Sequence, residues 1–453
     1  MKRFKLGFRV LVYPLLVVCL SCRAAADERQ ILHDVKAFFE ASNAEMRAEL
    51  VRKIESNPAY DRTKVSDYLL RAGLFDKKVS GWTEINVSVL TGANRDVLVR
   101  IPEGYTPKRR WPLIYALHAG GTNATWALNY MERVLGSEAE QYLIAAPTNC
   151  NTPDFDPYDM PAVLFAVKKL VSVDSDRVYA TGYSAGGMAT WALTVLHPDE
   201  FAAFIPIAGS VYIGAQTNRF LPNLANTYVF NVWGAQDTLP GWRGEGAPGI
   251  AESNRRLIKT VESFQLPVDS YEFPNKGHHG IEPPHAALMS ALRRVRTQYP
   301  PKVDHVFQHA RQARAYWLER NVLRGERWPG RPLPSDMKPG EDGERAIERA
   351  LRGQQAEFHG RIDGQTVTVT SRDVEGLTVW FGDGMIDWQE EVHVVVDDAE
   401  VFKGKLKPDL YVCLMQARRA YDFDRLRWAG LMLNGTNPAE PVTGKTRFFN
   451  PVP

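Results

Sequence analysis

An α/β fold with a mostly parallel sheet is predicted for the middle of this 453-residue chain, between an N-terminal helical segment and a small C-terminal β-rich domain. Two observations predict it. From Gly81 to about Pro300, short apolar segments of strand length alternate with helix-length segments. Strands separated by helices pair in parallel and carry helices on both faces. Outside that stretch the texture changes twice, to a helical stripe before Gly81 and to short alternating strands beyond Phe358.

The elements follow in chain order. Lys2, Arg3, Lys5 and Arg9 precede an apolar run from Val10 to Leu20, and Ala24, Ala25 and Ala26 precede Asp27. That is the layout of a signal peptide over residues 1–26, cut after Ala26, and it implies export. Lipid attachment at Cys22 is an alternative, although Cys19 stands where such signals usually carry leucine. The run is too short to cross a bilayer comfortably. Over residues 27–80, Ile31, Val35, Phe39, Ser42, Met46, Leu50 and Ile54 track one helical stripe, with Ser42 its weak member. Over 81–300, "TEINVSVL" and "DVLVRIP" read as paired strands, and "PLIYAL", "QYLIAAP", "RVYATGY", "FIPIAG", "TYVFNVW" and "VDSYEFP" follow as strands. Met160 to Val171, Gly186 to His197 and Ile250 to Phe264 read as helices between them. Residues 301–343 read as an amphipathic helix, "PPKVDHVFQHARQARAYWLERNV", and a linker rich in proline, glycine and charge. In 344–453, "TVTVTS", "LTVWF", "EVHVVV" and "EVFKGKL" alternate as short strands, with Asp397-Asp398 as a hairpin tip.

Composition narrows the function. The 55 Lys and Arg against 53 Asp and Glu give a formal charge of +2, which offers no electrostatic reason for a nucleic-acid or anionic-membrane partner. After cleavage behind Ala26 only Cys150 and Cys413 remain, expected as buried thiols rather than a cystine framework.

The chemistry is carried by four motifs. "ATGYSAGGM" sets Ser184 between Gly182 and Gly186, after the strand "RVYATGY" and before a helix. In this strand–turn–helix context the hydroxyl projects from a tight turn, glycines keep side chains out of it, and the helix points its positive end at a developing oxyanion. A serine hydroxyl needs a base. The order serine, acid, histidine expects a carboxylate after a later strand and a histidine after the next. Asp237 follows "TYVFNVW" and His278 follows "VDSYEFP", each at the carboxyl edge that carries Ser184. The adjacent His279 is the alternative base, and no Cys/His set here has metal-ligand spacing. Finally, "LIYALHAGGTN" ends a strand in His118-Ala119-Gly120-Gly121. Gly120, with Gly121 next in line, and Ala185 are the expected oxyanion-hole N–H donors, and His118 is expected to be structural.

The motifs "RIPEGYTPKRRWPLIYALHAGG", "DSDRVYATGYSAGGMATWALTVLHPDEFAAFIPIAG", "WGAQDT" and "YEFPNKGHHG" together resemble secreted esterases of the α/β-hydrolase superfamily. That group includes polyhydroxybutyrate-depolymerase-like, acetylxylan- and feruloyl-esterase-like enzymes and related predicted peptidases. The resemblance spans about Trp82 to Pro300. It implies a serine hydrolase with no metal or organic cofactor, with Ser184, Asp237 and His278 matching the triad, acting on a small-molecule or polysaccharide ester. Ala119 departs from the pattern, since glycine is common there, and its methyl is expected to narrow the hole. Two alternatives accompany the esterase expectation: an oligopeptidase using the same triad, and a non-catalytic scaffold whose β module binds glycan through Trp380, Phe381 and Trp388. Large aromatics of that kind are more often core.

Overall fold

The computed structural model describes residues 12–75, 79–89, 94–148, 159–210, 219–240, 248–307, 313–320, 356–374 and 376–443, with side chains from Ala25 onward. The chain divides into two compact units, Met1–Leu74 and Phe75–Pro453.

In the first unit α1 (Val12–Glu40), α2 (Ala44–Ser56) and α3 (Val65–Arg71) pack together around Ile31, Val35, Phe38, Val51, Ile54, Tyr68 and Leu69. The expected single stripe is broken. Asn43 is extended and its side chain accepts the Met46 N–H at 2.8 Å, so α2 starts afresh with its own cap. Met46, counted in the stripe, is instead 49% exposed.

The second unit opens on an eight-stranded sheet. Its strands are β1 (Gly81–Ser88), β2 (Asn94–Ile101), β3 (Trp111–Leu117), β4 (Leu143–Pro147), β5 (Val173–Tyr183), β6 (Ala203–Ile207), β7 (Tyr228–Gly234) and β8 (Val268–Phe273). They lie in the order β1-β2-β4-β3-β5-β6-β7-β8, with β3 to β8 parallel and β2 antiparallel to both its neighbours. The period of two is visible in the core. Leu113, Tyr115 and Leu117 join one apolar cluster, while Ile114 and Ala116 join the cluster on the opposite face. α4 (Ala124–Leu135) contributes to the second cluster; α5 (Met160–Leu170), α6 (Ala185–Leu196) and α7 (Ile250–Ser263) contribute to the first. α8 (His285–Ala291) covers the second face beside α4. This is the α/β-hydrolase architecture, and it gathers the carboxyl ends of β3, β5, β7 and β8 at one rim.

The remainder is a β-sandwich. β9 (Lys302–Phe307), β12 (Ala356–Asp363), β13 (Thr366–Arg372), β15 (Val392–Val396) and β16 (Ala399–Gly404) form one five-stranded sheet. β10 (Arg314–Ala315), β11 (Leu318–Arg320), β14 (Leu377–Gly382), β17 (Arg427–Leu433) and β18 (Glu440–Pro441) form the other. The sheets share one core that includes Phe307, Phe358, Val369, Val379, Phe381 and Leu431, and α9 (Leu410–Ala420) packs on β17. Asp397 and Asp398, both with positive φ, form the expected hairpin tip between β15 and β16. Cys413 is buried, as expected; Cys150 lies outside the described residues.

The segment read as one helix from Pro300 onward is not helical where it is described. Val303, His305 and Phe307 alternate into the core with outward Lys302 and Asp304, and β9 pairs with β12 over its whole length. Tertiary pairing overrides a weak 3.6-residue periodicity here. The proline-rich linker lies outside the described residues.

Buried charge joins the sandwich to the hydrolase sheet. The Arg296 guanidinium donates to Asp176 at 2.8 Å and to Asp422 at 2.9 Å, and Arg425 donates to Asp199 at 3.1 Å. Arg110 donates to Asp424 at 2.6 Å, and Arg314 pairs with Glu200. Burial opposes ionisation of Asp422, yet Arg296, Lys168 and Arg425 hold its carboxyl far below the usual range.

Candidate active site

A strained turn stands at the end of β5. Ser184 has φ 56° and ψ −114°, a sparsely populated conformation for a residue with a Cβ. The surroundings enforce it: the Ser184 N–H donates to Ile207 O at 2.8 Å, and the Ser184 carbonyl accepts the Met188 N–H at 2.9 Å as α6 begins. The flanking glycines are steric requirements. A Cβ on Gly182 would run into the Gly186 carbonyl, and one on Gly186 would run into the Leu117 carbonyl at the end of β3.

Asp237 and His278 come from the loops after β7 and β8, which are hydrogen-bonded to each other. Ala235 N–H donates to Phe273 O at 2.9 Å and Gln236 N–H donates to Lys276 O at 2.9 Å. Gly234 allows this contact, because any side chain there would strike the backbone of Lys276 and Gly277. The result is a chain of contacts: Ser184 Oγ lies 2.8 Å from His278 Nε2, and His278 Nδ1 lies 2.7 Å from Asp237 Oδ2. The Asp237 side chain is fully buried and its Oδ1 also accepts the Leu239 N–H at 3.2 Å. A buried acceptor at Nδ1 puts the proton on that nitrogen and leaves the Nε2 lone pair facing the hydroxyl. His279 is exposed, its ring 5.3 Å from that of His278, and does not occupy the space between Ser184 and Asp237.

The loop after β3 meets the turn. An ideal Cβ on Gly120 would lie 3.6 Å from the Ala185 Cβ, so the two backbones run side by side. Among the described residues neither the Gly120 nor the Ala185 N–H donates a hydrogen bond. Ala119 packs its methyl in the apolar cluster that holds Ile114 and Ala116. Its carbonyl accepts from the Thr122 hydroxyl at 2.8 Å. His118 is fully buried, with Nδ1 2.8 Å from Ala119 O and Nε2 2.8 Å from Thr148 O, as a structural role requires.

Two tyrosines absent from the sequence-based expectations border the site. Tyr183 donates its hydroxyl to the His278 carbonyl at 2.5 Å, and Tyr130 in α4 donates to the Ile281 carbonyl at 2.8 Å. Tyr183 could have been singled out as the residue next to Ser184; Tyr130 carries no local signal. Among the described residues no three His, Cys, Asp or Glu side chains group as a metal site. Trp380 and Phe381 are buried core, and Trp388 is half-buried with its indole N–H on Asp383, so two of the three proposed sugar-stacking rings are inaccessible.

Comparison with known proteins gives partial matches. The Prolyl oligopeptidase family model matches residues 150–220, which hold Ser184 but neither Asp237 nor His278. A probable feruloyl esterase C from Aspergillus terreus is 29% identical over 130 residues, 26% of this chain and 48% of the relative. Feruloyl esterase C from Emericella nidulans is 29% identical over 189 residues, 35% of this chain and 70% of the relative. Dipeptidyl-peptidase 5 from Porphyromonas gingivalis is 29% identical over 136 residues, 26% of this chain and 20% of the relative. The chain thus spans about half the length of the first of these relatives and a fifth of the last. Its second unit has the α/β-hydrolase architecture, and parts of the chain are similar in sequence to feruloyl esterases, to a dipeptidyl-peptidase and to the Prolyl oligopeptidase family model.

Proposed function

We propose that this chain is an exported serine esterase that hydrolyses carboxylic esters through an acyl-enzyme, including acyl groups carried on polysaccharide. The observation that carries it is the continuous line of hydrogen-bond contacts from the Ser184 hydroxyl through the His278 imidazole to the buried Asp237 carboxylate. Ser184 attacks the ester carbonyl while His278 Nε2 takes its proton, and Asp237 orients the ring and stabilises the imidazolium. The N–H groups of Gly120 and Ala185 receive the oxyanion. His278 returns the proton to the departing alcohol, and water then repeats the sequence to release the acid. Export is inferred from the basic and apolar N-terminal run; among the described residues no helix is long and apolar enough to cross a membrane.

The peptidase alternative keeps specific support in the match of residues 150–220 to the Prolyl oligopeptidase family and in the similarity to dipeptidyl-peptidase 5. Parallel assays on acetyl and feruloyl esters and on dipeptide p-nitroanilides separate the two. Esters are expected to give the higher kcat/KM, and a preference for dipeptides by orders of magnitude would replace esterase with peptidase.

A further inference from the structure

We infer that the Tyr183 hydroxyl is the positioning group for the proposed base, tying the backbone of His278 to the strand end that presents Ser184. This rests on the assignment of Ser184, Asp237 and His278 just given. Asp237 holds the imidazole by its Nδ1 but does not hold the peptide that carries it. The loop from Asn275 to Ile281 has no regular secondary structure. Among the described residues, the only hydrogen bond made by the peptide groups of His278 is the one its carbonyl accepts from Tyr183 Oη, at 2.5 Å. The same oxygen accepts the Ile281 N–H at 3.4 Å, so both functions of one phenol go to one loop.

The phenol is itself fixed. Tyr183 is 7% exposed and ends β5, with Ser184 as the next residue. Its ring stands edge-on to Tyr130 at 5.4 Å, to Trp126 at 5.7 Å and to the His278 imidazole at 6.0 Å. Tyr130 stacks on Trp126 at 5.3 Å and secures the far end of the loop through Ile281 O. A rigid aromatic group thus connects the nucleophile's own strand to the backbone of its base. Loss of the connection lets the imidazole drift, and reacting groups tolerate little of that: a displacement of about 1 Å costs on the order of 100-fold in rate.

The test is Tyr183→Phe, which removes one oxygen and keeps the ring cluster. Active sites are counted by the burst of p-nitrophenol from p-nitrophenyl diethyl phosphate, so kcat refers only to folded, competent molecules whatever the yield. On p-nitrophenyl acetate, kcat per site is expected to fall roughly 10- to 100-fold with KM nearly unchanged. The loss should be uniform along the pH profile of kcat, since a displaced base loses efficiency without changing its ionisation. Tyr130→Phe, which frees only the Ile281 end, is expected to lose far less. A Tyr183→Phe enzyme with wild-type kcat per site overturns the inference, as does a Tyr130→Phe enzyme equally impaired. If instead Ser184→Ala keeps its phosphate burst, the parent assignment fails first, and the two failures are told apart.

Discussion

Replacing Asp237 by asparagine changes one buried charge and almost no volume, so its effect can be worked from the geometry. The carboxylate oxygen lies 2.7 Å from His278 Nδ1, with the carboxyl fully buried and the imidazole 10% exposed. When His278 accepts the serine proton, a full positive charge forms beside that carboxylate. At an effective dielectric of about 20, two unit charges at this separation attract by about 6 kcal/mol. At about 1.4 kcal/mol per decade, that corresponds to roughly four powers of ten in rate. Asparagine also presents an N–H where the imidazole needs an acceptor, which favours the wrong tautomer and acts in the same direction. The prediction is a fall of about 10⁴ in kcat/KM on p-nitrophenyl acetate with an unchanged circular dichroism spectrum. A folded variant within tenfold of the wild type would refute the assignment of Asp237 as partner of the base.

Three further outcomes follow from the packing. Gly186→Ala drives a methyl into the Leu117 carbonyl, and should lower stability by about 3 kcal/mol or more together with activity, read by urea melts and ester turnover. Arg296→Met removes the buried guanidinium shared by the half-buried Asp176 and the buried Asp422 between the sheet and the sandwich. It should cost about 3–5 kcal/mol in a single cooperative urea transition, whereas a two-step melt would show that the two regions unfold separately. The third concerns pH. The hydrogen bond that His359 Nδ1 donates to the Asp304 carboxylate raises the His359 pKa above 6.5 and lowers the Asp304 pKa below 3.8. The contribution of His359 is therefore complete below pH 6.5 and fades as pH rises through its raised folded value; that of Asp304 is complete above pH 3.8 and is lost as pH falls through its lowered folded value. His359 is 40% exposed, so the pair contributes at most about 1 kcal/mol. His359→Gln should lower the melting temperature more at about pH 5 than at about pH 9, an equal deficit at both being the contrary result.

Much of the site was legible because each piece announces itself locally. Gly182 and Gly186 are required by contacts with the Gly186 and Leu117 carbonyls, and a glycine required by a tight turn is visible in sequence. Asp237 and His278 were located by strand order alone, since parallel strands deliver their carboxyl ends to one rim. Between the two histidines only the fold discriminates, because the choice depends on which ring faces a buried carboxylate. What escaped was non-local. Val303, Val306, Ala313 and Trp317 also satisfy helical spacing, and nothing near β9 announces its partner β12, whose first residue Ala356 lies far along the chain. Buried charges such as Arg296 and Asp422 read as solvated surface until their partners are known. Tyr130 is one more core aromatic in sequence, and its hydrogen bond to Ile281 and its edge contact with Tyr183 connect it to the base only in the fold.

The central claim is that the Ser184 oxygen becomes the site of acylation. Rapid acid quench during turnover of p-nitrophenyl acetate, followed by peptide mass spectrometry, locates the acetyl group directly. Acetylation is expected on the peptide containing Ser184 and none in Ser184→Ala; an acetylated residue elsewhere, with Ser184→Ala turning over at the wild-type rate, would contradict that assignment.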